Sequence, residues 1–318
     1  MNAAVVQSFD APPRYTTFAD PVPTEGEKLV TVTAAGLHPI VKALAKGTHY
    51  GSSGQLPFIP GVDGVGKLED GTRVYFGIAR PPFGSFSERA LTSFFTIPLP
   101  DGLDDVTAAG IANPAMSSWA ALTARAKFTS GESVLILGAA GVAGQLAVQV
   151  AKRLGARRVI AAARGSLDHL KSLGADAVVQ TDQDPAALVS AFRSEITGSG
   201  IDVVLDYLWG QPAERLLEAI AQKGGLNKTA TRIRYIQIGD SAGKTIALPA
   251  SILRSSGLEL LGSGFGSASL DQLRQSIADF FQTAAETPLQ FRTKPAPLSD
   301  VESLWNKTEH AIRLVFQP

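Results

Sequence analysis

Short apolar runs broken by glycine and proline dominate the first third of the chain: Leu29-Val-Thr-Val-Thr33, Val62 to Lys67, Thr72-Arg-Val-Tyr-Phe76 and Phe95-Thr-Ile-Pro98. Such spacing predicts short strands gathered into a compact β-barrel-like unit. From about Asp104 the chain turns alanine-rich and helical, through Asn113-Pro-Ala-Met-Ser-Ser-Trp-Ala-Ala-Leu122, a segment expected to join two domains. Beyond it, runs that are apolar throughout alternate with helical stretches: Val134-Leu-Ile-Leu137, Val159-Ile-Ala-Ala-Ala163, Ala177-Val-Val179, Asp202-Val-Val-Leu-Asp206 and Ile233-Arg-Tyr-Ile-Gln-Ile238. Strands without polar alternation are buried on both faces, so this part reads as a doubly wound parallel sheet. The segment from Gly257 adds a strand at Leu258 to Leu261, a glycine-rich turn through Gly266, a helix from about Leu270 to Ala285 and a final strand, Arg313 to Phe316. These last strands are expected to return to the first domain. The predicted division is therefore 1–116 with 255–318, and 117–254 as an insertion.

One junction in this pattern carries chemistry. The strand Val134 to Leu137 runs through Gly138-Ala-Ala-Gly-Val-Ala-Gly144 into a helical pattern, Gln145 to Leu154, with Leu146, Val150 and Leu154 on one stripe and Gly155 at its end. Glycines at a helix N-terminus let a pyrophosphate approach amides that have no partner within the helix. Counted as G-x-G-x-x-G, the string is Ala139 to Gly144 with alanine in the first glycine position, which makes Ala140, Gly141, Val142 and Ala143 the candidate dinucleotide contacts. The bland alternative is a tight strand-to-helix turn of some other α/β protein; the second strand, arriving at βαβ spacing, weighs against it. At that strand's end stands Arg164 rather than an acid for the ribose 2′-hydroxyl, which points to NADPH, although Arg164 also fits an ordinary solvated charge. Tyr207 and Gly239-Asp240 follow later strands at their carboxyl ends, the edge where such sheets bind ligands.

Charge and composition narrow the picture. The 29 basic and 29 acidic residues cancel, so no general attraction to nucleic acid or a membrane surface is written into the 318-residue chain. Cysteine is absent, which excludes disulfides, thiolate nucleophiles and cysteine-ligated metals. No run is apolar and long enough to span a bilayer, and the N-terminus lacks a signal pattern. A cytoplasmic location is expected, while the missing cysteine fits the periplasm equally well.

Four further motifs carry a resemblance. Ala34-Ala-Gly-Leu-His-Pro39, Pro60-Gly-Val-Asp-Gly-Val-Gly66, Leu137 to Gly155 and Asp202-Val-Val-Leu-Asp206 together resemble the medium-chain dehydrogenase/reductase superfamily, and most closely its zinc-free quinone oxidoreductase branch. The resemblance implies a GroES-like β-barrel catalytic domain joined to a Rossmann dinucleotide-binding domain, and edge-to-edge pairing into a homodimer. Zinc-dependent members hold ligands where this chain has His38 and Gly61-Val62-Asp63, and the four histidines, His38, His49, His169 and His310, lack ligand spacing, so no metal is expected. Two NADPH-contact positions of the branch fall near Ser166 and Thr181, leaving phosphate recognition to Arg164 and Lys307.

Without metal or thiol, direct hydride transfer from a nicotinamide to a small carbonyl or quinone substrate is the chemistry left, with the developing oxyanion needing only hydrogen-bond donors. The loops that the resemblance places over the nicotinamide offer His38, Tyr50 and Asn113 as candidates, and it implies Ser117, Tyr207, Gly239, Asp240, Gly264 and Phe265 at the cofactor cleft. Each has a plainer reading: a satisfied core histidine for His38, a pocket wall for Tyr50, a helix cap for Asn113, a core aromatic for Tyr207. Two other functions stay open, a zinc-free NADP-dependent alcohol dehydrogenase and an NADPH-binding protein without turnover.

Overall fold

The chain opens with β1 (Asn2–Val5) and β2 (Arg14–Thr17), an antiparallel pair, followed by the long β3 (Lys28–Gly36), helix α1 (Pro39–Ala45), and strands β4 (Asp63–Lys67), β5 (Arg73–Gly77), β6 (Arg89–Thr92) and β7 (Thr96–Pro98). The computed structural model describes residues 1–49, 51–77, 80–93, 95–221, 232–264, 266–307 and 312–318. Two sequence candidates, Tyr50 and Phe265, and also His310, lie outside these. Helix α2 (Asp105–Ala120) follows, with Asp104 Oδ1 accepting from the Thr107 amide at its start. Asn113 is therefore mid-helix, followed by an internal Pro114, and caps nothing. The capping role is corrected: alanine-rich sequence propagates the helix from Asp105, and the proline interrupts it without ending it. A π-helical turn, Ala121–Ala126, closes the segment at Lys127, whose φ is 51°.

Next come β8 (Ser133–Leu137), α3 (Val142–Arg153), β9 (Arg158–Ala163), α4 (Asp168–Ser172), β10 (Ala177–Gln180), α5 (Pro185–Ser199), β11 (Val203–Asp206), α6 (Gly210–Ile220), β12 (Arg232–Gln237), α7 (Ala250–Ser255) and β13 (Gly257–Gly262). Their six strands form one parallel sheet in the order β10-β9-β8-β11-β12-β13. Every residue of β8 and β11 is buried, as the unbroken apolar runs require. Helix α5 starts where the sequence says it should: Asp184 Oδ1 accepts from the Ala186 and Ala187 amides, both at 3.1 Å, and Pro185 takes the first position. The strand order reverses between β8 and β11, and the glycine turn leaves β8 at that switch point.

Helix α8 (Leu270–Glu286) buries Ile277, Phe280, Phe281 and Ala284, spaced three and four apart, and leads to β14 (Arg292–Pro297), α9 (Val301–Leu304) and β15 (Ile312–Gln317). These strands extend the first sheet into seven, β14-β15-β3-β4-β5-β7 with β6 on β3, mostly antiparallel. Phe86 anchors this unit's core, edge to face with Phe316 at 5.4 Å and Trp305 at 6.3 Å. The chain divides into two units, Met1–Pro114 with Ile277–Pro318, and Ala115–Ser276. The second boundary corrects the expected one at 255. The strand at Leu258 pairs along its whole length with β12, and Leu258 and Ile252 pack into the parallel sheet's core, so it is the sixth strand of that sheet and the return begins inside α8.

Candidate functional site

In the second unit the backbone builds the site. Gly138 bends away from β8 with φ of +89°, its amide donating to the Ala162 carbonyl at 2.8 Å, while the Ala139 amide reaches the same oxygen at 3.1 Å. Gly138 thus performs the tight turn assigned in the G-x-G-x-x-G count to the position of Ala139; counting one residue later concealed it. Gly144 is needed for packing, since a Cβ there would stand 2.2 Å from the Gly138 oxygen and 2.6 Å from Ala139 Cα. Gly141 differs. It is exposed at the N-cap of α3, and a Cβ on it would meet nothing nearer than the Gly138 oxygen at 3.5 Å. The fold does not require glycine at 141. No side chain caps α3. The Gly141 amide already donates to the Gly138 carbonyl at 3.1 Å. The Val142 and Ala143 amides open α3, where amides lack partners within the helix, and together with the backbone of Ala140 and Gly141 they form an edge suited to an anion and backed by the helix dipole.

At the end of β9, Arg164 is exposed, and the neighbouring Gly165 is tied to the next loop: its amide donates to Asp182 Oδ2 at 3.4 Å and its carbonyl accepts from Gln180 Nε2 at 3.1 Å. The Asp182 carboxyl is held below the usual range by its hydrogen bond with Gln180, and more weakly by the Arg164 charge. A carboxylate therefore stands close to Arg164, contributed by a loop the sequence reading did not connect with it.

After β11, Asp206 organises the bend. Fully buried, it accepts from the Leu208 and Trp209 amides on Oδ1 at 2.7 and 3.0 Å and from the Tyr235 hydroxyl on Oδ2 at 2.7 Å. Burial raises its pKa against these bonds. Trp209 is held at φ 56° and ψ −159°, a region that disfavours any side chain. The bend sets Tyr207, whose hydroxyl lies 3.1 Å from that of Ser117 and whose phenol burial pushes up to about 12. Gly239 packs so tightly that a Cβ would stand 2.8 Å from the Tyr207 carbonyl. Asp240 is ion-paired to Lys244 at 2.5 Å, and both border an open cavity of about 350 Å³ with Trp209, Gln237, Leu260, Leu261 and Gly262. Gly264 begins a turn closed by Ser267, whose Oγ accepts the Gly264 amide at 2.8 Å.

In the first unit, side chains do the work. His38 precedes α1 and is fully buried, its Nε2 3.5 Å from Asp63 Oδ1, and Asp63 Oδ2 accepts from the Tyr75 hydroxyl at 2.7 Å. Burial, reinforced by the Arg313 charge, holds His38 well below the ordinary imidazole range, opposed only by the Ala109 carbonyl. Burial pushes Asp63 up to about 7. Both groups are thus neutral near pH 6, so the 3.5 Å approach is a contact of neutral groups rather than an ion pair, and neither His38 Nε2 nor Asp63 Oδ1 has a hydrogen-bond partner. Asn113 is half-buried. Lys307, linked to the 2′-phosphate in the sequence reading, lines a cavity of this unit with Lys42 and Lys294. Among the described residues no three histidine, aspartate or glutamate side chains gather at a metal-binding distance, and no helix is long and apolar enough to cross a membrane.

A six-stranded parallel sheet with a glycine turn at its switch point, inserted into a mainly antiparallel unit, defines the class of two-unit dinucleotide-fold oxidoreductases. Residues 142–282 match the family model of the zinc-binding dehydrogenases. A probable NADPH-dependent quinone reductase of Emericella nidulans is 29% identical over 96% of both chains, and human quinone oxidoreductase is 32% identical over 49% of this chain and 50% of that one. The quinone oxidoreductase of Thermus thermophilus, solved also with NADPH, is 27% identical and superposes over both whole chains with a TM-score of 0.78. An NAD-dependent alcohol dehydrogenase, 23% identical, reaches 0.81 over both whole chains, a likeness of fold alone. Over its whole length the chain is thus similar to the quinone-reductase-like branch of the medium-chain dehydrogenase/reductase superfamily.

Proposed function

We propose that this chain is a cytoplasmic, NADPH-dependent, metal-independent reductase that delivers hydride to a quinone or an α,β-unsaturated carbonyl. The observation that carries the reading is the opening of α3, where Gly141 keeps clear an edge that the fold itself has no need to keep clear. The bound dinucleotide supplies the hydride, and the chain supplies position and donors. Ala140, Gly141, Val142 and Ala143 would hold the pyrophosphate, Arg164 the 2′-phosphate, and Ser117, Tyr207, Gly239, Asp240 and Gly264 the remainder. Asp182 beside Arg164 reduces the net positive charge there and so moderates the preference for the phosphorylated cofactor. His38, neutral and fully buried, is out of a substrate's reach and acts at most through its neighbours, which leaves the half-buried Asn113 to donate its amide. Tyr50 remains the other candidate donor.

The relatives named for quinone reduction support this acceptor class. A homodimer would use β13, the outer strand of the parallel sheet, where Leu260 is exposed; a monomer mass in light scattering would remove that part. The test of the activity is anaerobic NADPH oxidation, with NADH alongside, across quinones, alkenals and cyclic enones. NADPH-selective turnover of one class is expected. Oxidation of alcohols by NADP+ without enone or quinone reduction would replace the reading with a zinc-free alcohol dehydrogenase, and binding without turnover would leave a nucleotide-binding protein.

A further inference from the structure

Three separate segments of the first unit bring lysines to one cavity of about 180 Å³: Lys42 from α1, Lys294 from β14, and Lys307 following α9. Lys42 lies one helical turn beyond Pro39 on the same face, and Lys294 is paired in register with Leu314 of β15. Leu37, Pro39, Leu304, Ile312 and Leu314 make the walls apolar. Arg313 borders the cavity as well, with Nη1 donating to the Leu37 carbonyl at 2.6 Å and a buried Nε that has no hydrogen-bond partner. Among the described lining residues none is acidic. Burial lowers the pKa of Lys42, and the charges of Lys46 and Arg313 lower it further. Lysines that served only solubility would gain by standing apart; here they share a concave apolar surface.

We propose that this cavity binds a small organic monoanion, a carboxylate on an aryl or short acyl body, with the lysines on the charge and the leucine and proline walls on the body. The site is independent of the reductase reading, and it is separate from the dinucleotide turn in the residues that form it. The test is calorimetric titration of the whole protein with 2-naphthoate, with the neutral 2-naphthamide and inorganic phosphate as parallel probes, each with and without saturating NADPH. Binding of naphthoate alone is expected, weakened about tenfold in Lys42→Met and in Lys307→Met, both at positions that are not buried, and unchanged by NADPH. A second variant, Leu304→Trp, should abolish binding by filling the cavity while leaving both lysines in place. Equal binding of the amide, equal binding of phosphate, indifference to both lysine variants, or no binding at millimolar naphthoate would each overturn the proposal. Competitive displacement by NADPH would also overturn it, because the cavity would then be part of the cofactor's own site.

Discussion

The glycine turn of the parallel unit and the His38–Asp63–Tyr75 cluster of the antiparallel unit are opposite solutions to holding polar groups in a protein interior. The turn is made of main chain: the amides of Gly138, Ala139 and Gly141 are satisfied by carbonyls within a few residues or on the adjoining strand, and side chains matter chiefly by their absence. The cluster is made of side chains drawn from β4, β5 and the entrance to α1, and His38 and Asp63 remain incompletely hydrogen-bonded. A main-chain site is rigid and intolerant of added atoms. A side-chain site is held by burial and changes with pH.

The largest effect should come from adding a single methyl to the turn. Gly144→Ala drives a Cβ into the main chain of Gly138 and Ala139 and should cost about 3 kcal/mol or more in urea denaturation, whereas Gly141→Val should cost less than about 1 kcal/mol. Equal losses would erase the distinction between a packing glycine and a ligand glycine. Removing the side chain that supports the neighbouring bend comes next: Asp206→Ala strands the Leu208 and Trp209 amides and the Tyr235 hydroxyl, for about 2–4 kcal/mol. A loss well under 1 kcal/mol would mean that the strained Trp209 bend holds without it.

The buried cluster is probed by pH. Unfolded, Asp63 and His38 have ordinary values of 3.8 and 6.5; folded, Asp63 is pushed up to about 7 and His38 is held well below its ordinary value. From about pH 6.5 down to the folded value of His38 both states carry one proton on the pair, on His38 when unfolded and on Asp63 when folded, so its contribution is level. Above 6.5 only the folded state keeps that proton, and stability falls until about pH 7. Asp63→Asn should leave a stability that falls as pH drops below 6.5, and His38→Asn one that falls, by up to about 4 kcal/mol, as pH rises from 4 to 7. Identical pH profiles for the two variants would contradict the neutral-pair description.

Smaller effects belong to the surface. Arg164→Asp should weaken NADPH by about tenfold and NADH much less, read by fluorescence titration; equal weakening would remove the phosphate role. Lys244→Ala breaks an exposed pair with Asp240 and should change stability by less than about 0.5 kcal/mol, the benchmark against which the interior variants stand out.

These contrasts explain what could be read in advance. The parallel sheet was legible because strands buried on both faces leave continuous apolar runs, and the turn because its residues are consecutive. The role of Gly138 was hidden by a one-residue shift in the motif count, and the β13 boundary by a strand whose partner lies 25 residues earlier, at β12. Asp182 beside Arg164, Tyr235 on Asp206, and Tyr75 on Asp63 come from pairings between separate segments, which no local pattern encodes. Strands β1, β2, β6 and β14 were not predicted, being short or interrupted by proline.

The central claim is that glycine at 141 serves a ligand and not the fold, and it is tested most directly by measuring NADPH affinity and the denaturation midpoint together in Gly141→Val. A midpoint close to that of the parent protein with NADPH binding abolished is the predicted result. Unchanged NADPH affinity at an unchanged midpoint would contradict the account, because the dinucleotide would then bind elsewhere than on the opening of α3.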